Sequence, residues 1–193
     1  MKYINRIREN FKPMPSFTAR DVKIVLSEYK ISAGYARALL KNLVKKGEIK
    51  RLAKGVYTFH DDVLVSGFAF YPFYYGLQEA LSLWNLWEQE TNPVIITPRK
   101  VRQGMRPVLG ARVFVRRIRR KMFFGFESIK YYEWWIPVSD PEKTLIDFVY
   151  FKEPLYDEVL REIKKVLRKD VLNSYLKRCP AYLNKRVLNL VKK

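Results

Sequence analysis

The sequence predicts an α+β chain in two parts. A small helical domain closed by a hairpin comes first, then a mixed α/β domain with a small sheet and a helical C-terminus. Three observations predict this. Residues 16–59 carry two stretches of helical periodicity followed by two strand-length segments. Residues 93–138 hold a buried-strand pattern, an alternating run and a further strand signal. Beyond Ser139 the spacing of apolar residues is helical almost to the end.

Residues 2–11 read as a first helix, with Tyr3 or Ile4, Ile7 and Phe11 on one side and Pro13 and Pro15 to stop it. It is expected to pack behind the next two helices. Thr18 is a good N-cap, and Asp21 can reach back to the free backbone N–H as in a capping box. Val22, Val25, Leu26 and Tyr29 then share one helical face. Ser32 caps a second helix whose apolar stripe is Ala36, Leu39, Leu40, Leu43 and Val44. The opposite face carries Gly34, Arg37, Ala38, Lys41 and Lys45, with Tyr35 and Asn42 at its edge. Lys45 and Lys46 suit the negative end of the helix dipole, and Gly47 ends the helix. Ile49–Leu52 and Val56–Phe59 form two strands around Ala53, Lys54 and Gly55, where the glycine supplies a positive φ if the turn needs one.

Helix, helix, hairpin with a basic tip is the order of a winged helix-turn-helix, expected here over residues 1–62. In such folds the second helix lies in the major groove of duplex DNA and the hairpin touches the flanking backbone. Ser32, Gly34, Tyr35, Arg37, Ala38 and Lys41 are therefore expected at the major groove. Lys45, Lys50, Arg51 and Lys54 are expected on phosphates. Arg37 is the first candidate for reading a base, since arginine on guanine is the commonest specific contact. Ordinary solvated charges on a helical domain would look similar residue by residue; the order of parts is what favours DNA.

The second domain is expected over residues 63–193. Val63–Tyr75 is aromatic and apolar, a buried strand or an interdomain segment. Gly76 or Leu77 to Trp87 reads as a helix with Leu77, Ala80, Leu81 and Trp84 inward, followed by a turn at 88–92. Pro93–Thr97 is a short buried strand, Arg99–Pro107 a basic loop, and Arg112–Lys121 an alternating strand whose phase slips at Arg116 and Arg117, as a bulge would cause. Ile129–Val138 gives one or two more strands. Ser139 opens a helix as Ser-x-x-Glu with Pro141 in its first turn. Three helical patterns follow, at about 155–168, 170–178 and 181–192.

Nearly half of the 193 residues are apolar, enough for a core, and the formal charge is +19. That charge is uneven. Residues 1–60 hold 14 basic against 4 acidic residues, and residues 93–132 hold 11 against 1. Residues 61–92 hold 5 acidic residues and no basic one. Two basic blocks around an acidic one point to a polyanion met at two places. In the second block, Arg99, Lys100, Arg102, Arg106, Arg112, Arg116, Arg117, Arg119, Arg120 and Lys121 suggest a second phosphate-contacting surface; a solvated edge strand protected by charge is the alternative. A membrane surface would attract the same charge, but no segment pairs a strong apolar face with a lysine-rich one. The longest uncharged run, Val63–Gln78, is short and broken by Gly67, Pro72 and Gly76. The N-terminus is not a signal peptide, so a cytoplasmic protein is expected. Abundant Lys, Arg, Glu and Tyr with few Gln lean towards a thermophilic source.

Enzymatic chemistry is not expected. Cys179 is the single cysteine and His60 the single histidine, too few for a disulfide, a four-ligand zinc site or a Cys–His pair close in sequence. No phosphate-cradling glycine loop is present, and no cofactor is implied. Asp140, Glu142 and Lys143 have the residue types of a magnesium-dependent nuclease, yet helix capping explains the acids more simply.

Three segments resemble the AbiEi antitoxin family, the regulator half of type IV toxin–antitoxin pairs. They are Tyr74–Leu86 (YYGLQEALSLWNL), Val94–Thr97 (VIIT) and Val138–Asp147 (VSDPEKTLID). A winged N-terminal domain before such a domain is the family layout. The resemblance implies binding to inverted repeats in the protein's own promoter and repression of an operon that encodes a nucleotidyltransferase-like toxin. It also implies a C-terminal domain that opposes the toxin. The alternatives are a protein-binding antitoxin module without a dominant promoter role and a structured-RNA binder using Tyr131, Tyr132, Trp134 and Trp135. Palindromic operators suit a homodimer.

Overall fold

The computed structural model describes residues 2–88 and 92–192, so the middle of the turn expected at 88–92 lies outside the described residues. Helix α1 (Lys2–Phe11) buries Ile7 and Phe11 against α2 (Ala19–Val25) and α3 (Ala33–Lys45). The capping box of α2 is formed: the Asp21 N–H donates to the Thr18 hydroxyl at 3.2 Å, and the Thr18 N–H donates to the Asp21 carboxylate at 2.7 Å. A short 3-10 turn, Ser27–Tyr29, follows and ends at Lys30 with a left-handed backbone. Ser32 caps α3 by accepting from the Tyr35 N–H at 3.1 Å. Val44 is the one residue of the expected apolar stripe that stands out of the core, 37% exposed.

The hairpin is β2 (Lys50–Ala53) and β3 (Val56–Thr58), turning at Gly55, whose φ of 79° is one that a side chain would strain. A two-residue strand, β1 (Phe17–Thr18), pairs with β3 and completes a three-stranded sheet. It is too short to be legible in the sequence, and Thr18 serves both as its last residue and as the cap of α2.

The second sheet has six strands in the order β6-β7-β5-β4-β9-β8. They are β4 (Tyr74–Tyr75), β5 (Val94–Thr97), β6 (Gly104–Val108), β7 (Ala111–Arg117), β8 (Phe126–Tyr131) and β9 (Trp134–Ser139). The pairs β5/β7 and β4/β9 are parallel and the others antiparallel. Alternation sends neighbouring residues to opposite faces. Tyr74 and Ile96 join a core with α5 (Pro141–Phe151), α6 (Asp157–Val166), α7 (Lys169–Leu176) and α8 (Ala181–Lys192). Tyr75, Ile95, Val113, Val115, Ile136 and Val138 join a core with the segment Val63–Phe70.

Several expectations are corrected. Val63–Phe70 is a 3-10 helix, buried as anticipated but not extended, and only Tyr74 and Tyr75 form a strand. Helix α4 spans only Gln78–Leu83, because Asn85 takes a left-handed backbone and closes it. Half of the expected basic loop is strand β6, which pairs along β7. No bulge interrupts β7: Ile96 and Thr97 pair regularly with Arg116 and Arg117, and the phase slip marks the strand's end. Asp140, not Ser139, caps α5, accepting from the Lys143 N–H at 2.7 Å. The Ser139 hydroxyl instead meets the Thr144 hydroxyl at 2.7 Å. Glu142 is turned away to Arg168, whose backbone N–H donates to it at 2.6 Å.

Candidate nucleic-acid interface

Helix α3 has two faces because its sequence does. Ala36, Leu39, Leu40 and Leu43 are buried, while Gly34, Arg37, Ala38 and Lys41 line the solvent side. Small residues at positions 34 and 38 leave this surface low, and Arg37 and Lys41 stand one turn apart on it. Tyr35 is 45% exposed, with its ring edge-on to Tyr3 at 5.8 Å, so α1 supports its position. Arg37, Lys41 and Lys45 make no hydrogen bond or ion pair through their side chains among the described residues.

The wing is less uniform. Lys54 is exposed at its tip, and Arg51 is exposed with its Nε donating to the Ala53 carbonyl at 3.2 Å. Lys50 is half-buried and paired with the exposed Asp61. The wing belongs partly to a junction. Leu52 packs into the core beside Val63–Phe70. His60 donates from Nε2 to the Met14 carbonyl at 3.1 Å and sits edge-on to Trp134, 4.4 Å away. Asp62 accepts from the Tyr131 hydroxyl at 3.0 Å. Among the four aromatics weighed for RNA stacking, Tyr131 and Trp134 are thus committed to this joint, and Tyr132 and Trp135 remain exposed.

The second basic block also divides. Arg116 is paired with Glu153, and its guanidinium lies over the rings of Phe114 at 4.5 Å and Phe151 at 5.5 Å. Burial lowers its pKa. It ties β7 to the end of α5. Arg99 is exposed, and its Nη1 donates to the carbonyls of Ala69 at 3.1 Å and Tyr71 at 3.4 Å. Lys100, Arg102, Arg117, Arg119 and Arg120 are exposed where β5 and β7 both end.

The carboxylates at the head and in the body of α5, Asp140, Glu142 and Asp147, are buried and each is bonded to a neighbour. Lys143 is fully buried and bonds Asp147, with the Tyr74 hydroxyl 2.9 Å from its Nζ. Tyr74 in turn donates to Asp147 at 2.8 Å. Burial pulls the Lys143 ammonium down and pushes the Asp147 carboxyl up, each opposed by the other's charge. Asp140 accepts from the Tyr175 hydroxyl at 2.6 Å. Gly125 lets β8 begin this close: a Cβ there would sit 2.8 Å from Lys143 and Tyr175. Among the described residues, no group of three or more His, Cys, Asp or Glu is placed to hold a metal, and no helix is long and apolar enough to cross a membrane.

Residues 5–60 match a family model described as a transcriptional regulator, AbiEi antitoxin. The match falls on the winged domain, which is similar to that family over this stretch. The AbiEi match stops at residue 60 and leaves the six-stranded sheet and the C-terminal helices beyond it. No curated protein matches the chain. Among solved structures, the RV2827C protein from Mycobacterium tuberculosis is similar, with a TM-score of 0.62 at 16% identity, covering 100% of this chain and 77% of that one. At that identity the likeness is one of fold, and it extends over both sheets.

Proposed function

We propose that the protein is a sequence-specific, double-stranded DNA-binding regulator that represses its own promoter. The observation that carries this is the solvent face of α3, where Arg37 and Lys41 rise beside the low surface of Gly34 and Ala38 within the AbiEi-type domain. That face has the height and chemistry to enter a major groove. Arg37 reads a base, with Ser32, Tyr35 and Lys41 beside it. Lys45, Arg51 and Lys54 hold the backbone on either side. Lys100, Arg102, Arg117 and Arg119 extend the phosphate contact from the second domain. Inverted repeats and a homodimer accompany this reading, since twofold symmetry in the protein matches twofold symmetry in the site.

A second reading, an antitoxin that opposes a nucleotidyltransferase-like toxin through residues 63–193, is favoured by the description of the matching family model. The two roles are compatible in one chain. The deciding experiment is a gel shift at controlled salt, with the duplex just upstream of the gene against random duplex. Tight binding that survives random competitor supports the autorepressor. Equal and equally salt-sensitive binding to both sinks it and leaves only non-specific attraction.

A further inference from the structure

Strands β5 and β7 are parallel neighbours, so their carboxyl ends open on the same edge of the sheet. β4 is antiparallel to β5 and starts at that same edge. Three connections therefore meet there: the segment before β4, the loop after β5 and the 3-10 turn Arg120–Met122 after β7. They border an open cleft of about 420 Å³ lined by Pro72, Pro98, Arg99, Arg120 and Phe123. In open parallel sheets ligands bind in the crevice beyond the carboxyl ends of the strands, and here β5 and β7 form such a parallel pair within a mixed sheet.

The lining has two kinds of chemistry. Arg99 is oriented by the Ala69 and Tyr71 carbonyls through Nη1, and its Nε and Nη2 are not used in any hydrogen bond among the described residues. The Arg120 guanidinium is exposed and makes neither a hydrogen bond nor an ion pair among the described residues. Neither arginine has a carboxylate within ion-pair distance there, whereas nearby Arg116 does. Paired guanidinium groups of this kind suit phosphate oxygens, which they bind through charge-assisted, often bidentate bonds. The remaining wall is Phe123 and two proline rings, flat apolar surfaces on which a heteroaromatic ring can lie. Phe123 is fixed from behind by Tyr74 and Phe126, with ring centroids at 5.4 and 4.8 Å. The volume is within the range of small-molecule sites.

We propose that this cleft is a nucleotide site: the phosphates of a nucleoside triphosphate lie between Arg99 and Arg120, and its base lies against Phe123. The site is separate from α3 and does not depend on the winged domain's function. It gives the second domain a ligand of its own, through which a nucleotide pool can act on the protein.

The test is calorimetric titration of the full chain with each of the four ribonucleoside triphosphates, and with adenosine and inorganic triphosphate as controls. At least one nucleoside triphosphate should bind with a dissociation constant below about 1 mM. It should bind more tightly than inorganic triphosphate, and adenosine should bind weakest. Arg120→Glu, at an exposed and unpartnered side chain, should weaken the nucleotide at least tenfold with the thermal midpoint unchanged. Three results would overturn the proposal: no nucleotide binding by the unmodified protein, unchanged affinity in Arg120→Glu, or inorganic triphosphate binding as well as the best nucleotide. If the unmodified protein binds no nucleotide while Arg120→Glu weakens duplex DNA binding, the cleft is only a DNA phosphate contact.

Discussion

Arg37 stands on the exposed face of α3 with no partner among the described residues, so a base edge gains its hydrogen bonds without breaking any within the protein. Replacing it by alanine should cost about 1–3 kcal/mol on the operator and less on random duplex. Equal losses on both, in a competition gel shift, would make it a phosphate contact. Glu79 carries a different consequence. It is buried near Asp62, and desolvation, with a smaller repulsion from Asp62, raises its pKa from 4.5 to about 7. A carboxyl whose folded pKa is raised contributes its full stability below pH 4.5, and that contribution is lost as pH rises towards 7. Between those limits its ionisation removes about 3 kcal/mol of stability. Glu79→Gln should therefore be more stable than the unmodified protein at about pH 8, and its stability should vary less between about pH 5 and 7. Chemical denaturation at several pH values across that range would show this; parallel pH profiles for the two proteins would refute it.

At the scale of elements, α5 is placed by polar groups that the core has enclosed. Lys143, Asp147 and Tyr74 satisfy one another with no exposure, between α5 and β4. Lys143→Met alone leaves a buried carboxyl short of its partner and should destabilise the fold by about 3–5 kcal/mol. Lys143→Met with Asp147→Leu and Tyr74→Phe removes the whole network and should recover most of that loss in urea denaturation. A triple variant as unstable as the single one would show that the network itself holds the helix. Nothing in the sequence distinguishes this lysine from the chain's exposed ones, because its burial depends on partners such as Tyr74, 69 residues away in the chain. Elements defined locally were legible: α1, α2 and α3 announce themselves through caps, period and stop signals, and so does the wing through Gly55. Elements defined by pairing were not. β1 exists only because β3 lies beside it, and β6 only because β7 does. Asp140 took the cap of α5 from Ser139 because the last residue of β9 was already occupied with Thr144. The solvent face of α3 was legible for the same local reasons. The internal pairing of Lys50 and Arg116 was not, since Asp61 and Glu153 reach them only in the folded chain.

For the molecule as a whole, the joint between wing and second domain determines how its two basic regions can act. Leu52 packs beside Val65 and Tyr75, Asp62 holds Tyr131, and His60 meets Trp134, so the winged domain is braced against the six-stranded sheet. Charges fixed relative to one another can meet one duplex together, and each phosphate neutralised releases counterions. If the second domain follows the DNA beyond the reach of α3, replacing Lys100, Arg102, Arg117 and Arg119 by glutamine should weaken operator and random duplex alike. It should also flatten the slope of log affinity against log salt by roughly one unit for each phosphate that is no longer neutralised. Arg116→Gln is the control from the same strand: its guanidinium is already engaged by Glu153, Phe114 and Phe151, so the variant should lower the thermal midpoint and leave the slope unchanged. A slope unaffected by the fourfold change would confine DNA binding to the winged domain, and the charge at the edge of the sheet would then belong to some other anion.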